Sequence, residues 1–172
     1  MTEFIRHLVV VPIILPMIAA ALTLSFDERR RNARAVISFA TTAILLVVAL
    51  VLLFEASDAG PHQGAATAYA IGDWAAPFGI VLVADRLSAM MVALTSFLGL
   101  STLLFSLARW DRAGPRFHPL FLLLLMGVNG AFLTGDLFNL FVFFEVLLAA
   151  SYGLALHGSG LARVKAGMHY VI

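Results

Sequence analysis

Of the 11 Lys and Arg and 10 Asp and Glu residues in this chain, only Glu145 falls inside the five long apolar stretches Leu8–Ser25, Ala35–Phe54, Leu87–Ala108, Phe117–Leu133 and Leu137–Leu156. A charge at bilayer depth costs about 2.5 to 3.5 kcal/mol on insertion scales, whereas a soluble fold carries charges freely on every surface helix. So strict a segregation points to lipid as the solvent. Each stretch is about 17 to 22 residues long, which at about 1.5 Å per residue suits a hydrocarbon core about 30 Å thick. The expected fold is an all-α polytopic membrane protein with five transmembrane helices and the start of a sixth. The composition, 62% hydrophobic and 12% charged, excludes an ordinary soluble domain, where about a quarter of residues are charged.

The charges that remain exclude other classes. A net charge of +1 with no basic run longer than Arg29 to Arg31 offers no footprint for nucleic acid. The absence of cysteine removes disulfides, thiol redox chemistry, Cys-based zinc sites and Cys-ligated iron–sulfur clusters. No Gly-rich strand-to-helix fingerprint for a dinucleotide is present, so no cofactor is expected. A cleaved signal peptide is disfavoured for the first stretch, because Glu3 offsets Arg6 and Pro12 and Pro16 interrupt the apolar run.

Lys and Arg in short loops are retained on the cytoplasmic side. Arg29, Arg30, Arg31 and Arg34, then Arg109, Arg112 and Arg116, then Arg163 and Lys165 fall on one side, against Arg6 and Arg86 on the other. The N-terminus is therefore expected outside and the segment after the fifth helix in the cytoplasm, in a cell inner (plasma) membrane. The one long loop, residues 55–86, is then external. In it Tyr69-Ala70-Ile71 and Ile80 to Val83 flank Gly72-Asp73-Trp74 and Pro77-Phe78-Gly79, a pattern for a short β-hairpin. The alternative is an irregular loop anchored at the interface by Trp74 and Phe78.

Glu145 lies nine residues beyond Asp136, about 13.5 Å down the helix and near the middle of the bilayer. A carboxyl there must be protonated, paired with a cation or hydrated, and one that moves between those states carries a proton. The alternative is a permanently protonated Glu hydrogen-bonded between helices. Ala149, Ala150, Ser151 and Gly153 below it are small enough for another helix to approach. Lys165, the sole lysine, and His169 one turn deeper are candidates for relay or support. Asp136 falls on the opposite helix face from Glu145 and reads as the N-cap of the fifth helix. Asn139 is a candidate to bridge to Asn129 of the fourth. Asp85 and Arg86 read as an interfacial pair with Arg86 snorkelling, and Asp85 is a lesser candidate for ion access.

The run Gly135-Asp136-Leu137-Phe138-Asn139-Leu140-Phe141-Val142-Phe143-Phe144-Glu145-Val146 resembles the antiporter-like transporter family shared by the Mrp (Pha/Mnh) monovalent cation/proton antiporters and the proton-pumping membrane subunits of respiratory complex I. Asp73-Trp74, Pro77 to Ile80 and Asp85 to Ser88 are similar to the same family, nearest to its Mrp antiporter branch. The resemblance implies a transporter of about fourteen helices with two inverted five-helix repeats, in which the Glu matched by Glu145 pairs with a lysine on a later helix. It divides the chain into a three-helix region, residues 1–116 with the outer loop 55–86, and the start of the antiporter-like repeat, residues 117–172. The last residue, Ile172, would fall within the sixth helix, so the chain reads as the N-terminal portion of a longer subunit. The implied partners are other subunits of a multisubunit antiporter complex, the lipid bilayer, protons and monovalent cations (Na+ or K+). The implied function is transport and not enzymatic catalysis. Alternatives are a proton-pumping subunit of a complex I-like NADH-quinone oxidoreductase and a truncated chain with only a structural or assembly role.

Overall fold

The computed structural model describes residues 3–27, 30–58, 66–74, 79–114, 116–158, 160, 164, 165 and 167. It is mostly helical. Six helices are present: α1 (Glu3–Leu8), α2 (Val11–Ser25), α3 (Arg31–Asp58), α4 (Arg86–Arg109), α5 (Phe117–Leu133) and α6 (Leu137–Ala155). Among the described residues α3, α4 and α6 are long and apolar enough to cross a membrane, and α2 and α5 are shorter apolar helices. Val164, Lys165 and Gly167 are helical, and the rest of the expected sixth helix lies outside the described residues.

The first expected span, Leu8–Ser25, is corrected. Val9 and Val10 form a turn between α1 and α2, so the helix that covers this stretch starts afresh at Val11. Pro12 explains the break: it has no N–H to give to the carbonyl four residues back, yet fits the first turn of a new helix, where that N–H would be unpaired anyway. Helix α3 runs past Ala35–Phe54 at both ends and takes Arg31, Arg34 and Glu55 into its terminal turns, where long charged side chains reach the interface. The expected ends of α5 coincide with the observed ones, and α6 stops one residue before the expected Leu156.

Helix α5 packs against α6, α2 and α4, while α3 packs against α4 and α2. Two glycines of α5 set its distance from α6. A Cβ on Gly130 would lie 2.2 Å from Cδ1 of Phe143, and one on Gly127 would lie 2.8 Å from the backbone nitrogen of Leu147. Such close approach is how small residues draw helices together in lipid, where no hydrophobic force acts between them. A core of Val9, Leu52, Leu82, Val92, Leu133 and Phe143 lies toward one end, and Leu45, Leu103, Phe117, Phe121 and Leu125 form a second core toward the other. Large apolar side chains also cover the outside, Leu137 being 83% exposed and Phe105 82%. On a soluble protein so many would form a sticky patch; here they suit contact with acyl chains or other membrane helices.

The long loop, residues 55–86, holds an antiparallel hairpin of β1 (Thr67–Ala70) and β2 (Val81–Ala84), with Tyr69 opposite Leu82. It lies where the sequence places it, with Ile71 leaving the strand for a short 3₁₀ turn through Asp73. Gly72 sits there at φ 74°, a backbone region that favours glycine. Trp74 is exposed, and Phe78 lies outside the described residues. Leu82 is fully buried and bridges to Thr134, while the Gly135 N–H donates to the Val81 carbonyl at 2.7 Å. The hairpin is thus stitched to the link between α5 and α6.

Candidate functional site

The site is built from the start of α6 downward. Asp136 caps it as expected: Oδ1 accepts the Asn139 N–H at 2.7 Å and Oδ2 accepts the Asn139 Nδ2 at 2.6 Å. Burial pushes the Asp136 carboxyl up, but the Asn139 backbone and side-chain donors outweigh it and hold it below its usual value. Asp136 therefore stays an anion at the positive end of the helix dipole.

Asn139 is spent on that cap, which corrects the expected bridge to Asn129. Asn129 is fully buried in α5 and donates through Nδ2 to the Pro12 carbonyl at 3.2 Å. Pro16 lies four residues after Pro12 and has no N–H, so the Pro12 carbonyl lacks its helical donor. Asn129 supplies it from the neighbouring helix.

Asp85 likewise works as a cap. Its Oδ1 accepts the Ser88 N–H at 2.7 Å, and the Ser88 hydroxyl accepts the Asp85 N–H at 2.8 Å, closing a capping box on α4. These Ser88 bonds hold the Asp85 carboxyl below its usual value. Arg86 is not paired with it; its guanidinium donates to the Ser57 carbonyl at 3.2 Å. The expected Asp85–Arg86 pair is corrected on that geometry.

Glu145 lies between Phe143, which covers Gly130, and Leu147, which meets Gly127, so it sits level with Asn129 along α5. It projects elsewhere. The face of α6 turned to α5 carries Phe143 and Ala150, and Glu145 is exposed beside Phe141 (63%) and Phe144 (46%). Among the described residues Glu145 has no ion pair or hydrogen bond. The small residues below it serve the other side: Ala150 is buried and Gly153 receives the Leu120 side chain. Lys165 is exposed and makes no contact with Glu145 that the structure shows, and His169 lies outside the described residues. Among the described residues no three His, Cys, Asp or Glu side chains are placed to hold a metal ion.

A second polar assembly occupies the arginine-rich end, where the sequence reading places no site. His118 opens α5, is buried, and shares a hydrogen bond of 3.1 Å with the Ser38 hydroxyl of α3. Arg31 pairs with Asp111 at 3.2 Å, and Arg34 donates to the Phe26 carbonyl. His157, just past α6, is buried with Nε2 donating to the Trp110 carbonyl at 3.3 Å and its ring 5.5 Å from that of Phe117. The sequence carries only a weak signal of it: His118 and Ser38 are among the few polar residues of two largely apolar spans.

No family model matches the chain. The chain is 54% identical over 172 residues to the D subunit of a probable K(+)/H(+) antiporter of Rhizobium meliloti, covering 99% of this chain and 32% of that protein. It is a relative of the antiporter D subunits. A second member, the D subunit of the Na(+)/H(+) antiporter of Alkalihalophilus pseudofirmus, is 41% identical over 169 residues, covering 97% of this chain and 33% of the relative. The structure of the Mrp complex from Dietzia sp. contains a chain that superposes with a TM-score of 0.87 at 32% identity, over 99% of this chain and 31% of that one. A chain of an archaeal membrane-bound sulfane sulfur reductase superposes at a TM-score of 0.77 with 23% identity, over 99% of this chain and 34% of its own length, which shows a shared fold alone. The chain spans about a third of the length of these antiporter relatives.

Proposed function

We propose that the chain forms part of a membrane subunit of a monovalent cation (Na+ or K+)/proton antiporter and that Glu145 is its proton-carrying carboxyl. The observation that carries this reading is the placement of Glu145. It is the one Asp, Glu, Lys or Arg side chain inside the apolar spans, half-way along a helix that is capped, stitched to the hairpin and locked to α5 by glycine contacts. The 54% identity to an antiporter protein supports the class of transport. A carboxyl on an otherwise apolar helix face is costly unless a partner covers it, so a cation from outside the described residues is its counterpart in this reading. The apolar faces of α6 and α4 meet other subunits of a multisubunit complex and lipid.

In the same reading the five apolar stretches all cross the plasma membrane, with the N-terminus outside and the arginine-rich end in the cytoplasm. Residues 1–116 form a peripheral three-helix region, and residues 117–172 begin the transporting repeat. Transport of this kind needs no cofactor.

The test is cation-dependent proton exchange in vesicles from cells assembling the full complex with Glu145→Gln. Loss of exchange with normal assembly is expected; exchange at the wild-type rate overturns the role. An assembly role is the second reading, favoured by the exposed apolar surface of α6. It predicts that Glu145→Gln is silent while removal of residues 8–25 abolishes the complex on native gels.

A further inference from the structure

The buried polar atoms at the arginine-rich end without a hydrogen-bond partner among the described residues include Nε2 of His118 and Oδ1 of Asp111. His118 is 4% exposed and the Asp111 side chain 9%. Leaving such a group unsatisfied is costly, the more so for a carboxylate. One is an imidazole nitrogen and the other a carboxylate oxygen, and they belong to one electrostatic neighbourhood. Among the described residues, Asp111 from the turn after α4, Arg31 and Arg34 from α3, and His157 from beyond α6 act electrostatically on His118. A buried water is stable where two to four polar groups converge on it, and this site offers both ends of such a bridge.

We propose that His118, Asp111 and Ser38 form a hydrated proton-exchange station at the arginine-rich end of the bundle. The proposal rests on the reading of the chain as part of a cation/proton antiporter and adds a second proton-handling site to Glu145. The outer terminal is Asp111, whose other oxygen holds the half-exposed Arg31 at 3.2 Å and so borders solvent. The inner terminal is the buried Ser38 hydroxyl, 3.1 Å from Nδ1. Thr41 and Thr42 are buried one turn further along α3 and continue a polar stripe inward.

In the uptake step a hydrated proton arriving from solvent past Asp111 is delivered by the bridging water to Nε2. One N–H bond forms as one O–H bond of the hydronium breaks, leaving neutral water. The Asp111 carboxylate, shared with Arg31, is the anion that attracts the imidazolium. Nδ1 then gives its hydrogen to Ser38 Oγ while the hydroxyl passes its own to the oxygen of a second water, which becomes hydronium and leaves a neutral imidazole in the other tautomer. Return of the proton along the same bonds resets the site.

The experiment uses the complete protein in its assembled complex, in inverted vesicles, with assembly checked on native gels. His118→Ala is expected to slow cation-driven proton exchange at least about tenfold, the modest end of what a positioned proton donor contributes. Imidazole added to the side bearing the arginines is expected to restore it by occupying the vacated space, whereas His118→Phe, which fills that space, stays slow with imidazole. Wild-type exchange in His118→Ala, or a loss in the assembled complex that imidazole does not relieve, overturns the proposal. Where His118→Ala does not assemble, Asp111→Asn carries the test: slowed exchange supports the station and unchanged exchange overturns it. Failure of the antiporter reading is seen separately, as vesicles in which the unmodified complex exchanges no protons for cations.

Discussion

Adding one methyl group at Gly130 tests whether the α5–α6 contact is as tight as its geometry says. The new Cβ of Gly130→Ala would stand 2.2 Å from Cδ1 and 2.4 Å from Cε1 of Phe143. Carbon atoms pack at about 3.5 to 4.0 Å, so the ring must withdraw by about 1.3 to 1.8 Å. Overpacking of this kind costs about 1 to 3 kcal/mol, and the better helix propensity of Ala returns up to about 1 kcal/mol. The net expectation is a loss of about 0.5 to 2 kcal/mol. Phe143→Ala removes the obstacle, so the double variant Gly130→Ala/Phe143→Ala should be more stable than the sum of the single effects by about 1 kcal/mol or more, as contacting pairs are when their clash is relieved. Thermal denaturation of the four purified proteins in one detergent gives the cycle. A coupling of zero, with Gly130→Ala as stable as wild type, would refute the claim that this glycine sets the helix separation.

Three further outcomes follow from the same geometry. Asn129→Leu leaves the Pro12 carbonyl without a donor and should destabilise by about 1 to 3 kcal/mol; adding Pro16→Ala restores a backbone N–H to that carbonyl and should recover part of the loss in the same melt. The Asp85 and Asp136 carboxyls titrate below their usual 3.8, so the stability they contribute is complete above that pH and is lost as the pH falls through their lowered values; Asp85→Asn should flatten this acid limb in a pH series of melting curves and, because Asn caps as well as Asp, cost only about 0.3 to 1 kcal/mol at pH 7 through the lost charge. Gly135→Ala places a Cβ 2.7 Å from a Val83 methyl and 3.1 Å from the Val81 carbonyl, so it should part the hairpin from the α5–α6 link, and limited proteolysis should then cut within residues 55–86 faster than in wild type.

Much of this arrangement is legible in the sequence because lipid sorts residues so harshly. Charges mark the helix ends to within a few residues, Asp136 announces its cap by position, and the apolar runs on either side of the Gly72-Asp73-Trp74 and Pro77-Phe78-Gly79 turn residues locate the hairpin. Azimuth is harder to read. Counting from Asp136 gives the depth of Glu145, but α6 is apolar all round, so its sequence does not say which face meets α5; Gly127 and Gly130, on the other helix, decide that. Polar pairing fails for a related reason. The nearest polar residue of the next helix is the natural match for Asn129, whereas its partner is a backbone carbonyl 117 residues away that only the missing N–H of Pro16 makes available. Pro12 and Pro16 are plain in the sequence, but their consequence depends on which helix comes alongside. His118 stays inconspicuous because one histidine at a helix start reads as interfacial until Ser38 and Asp111 are seen beside it.

The bond from Asn129 to Pro12 has a mechanical consequence. A conformational change can ratchet one helix past another by a whole turn, about 5.4 Å. Between α2 and α5 such a slip would strand a polar amide against hydrocarbon and leave a carbonyl with no rung to hang on, a double cost with nothing gained. The bond therefore acts as a register key, and α2 and α5 should move as one body in any conformational change.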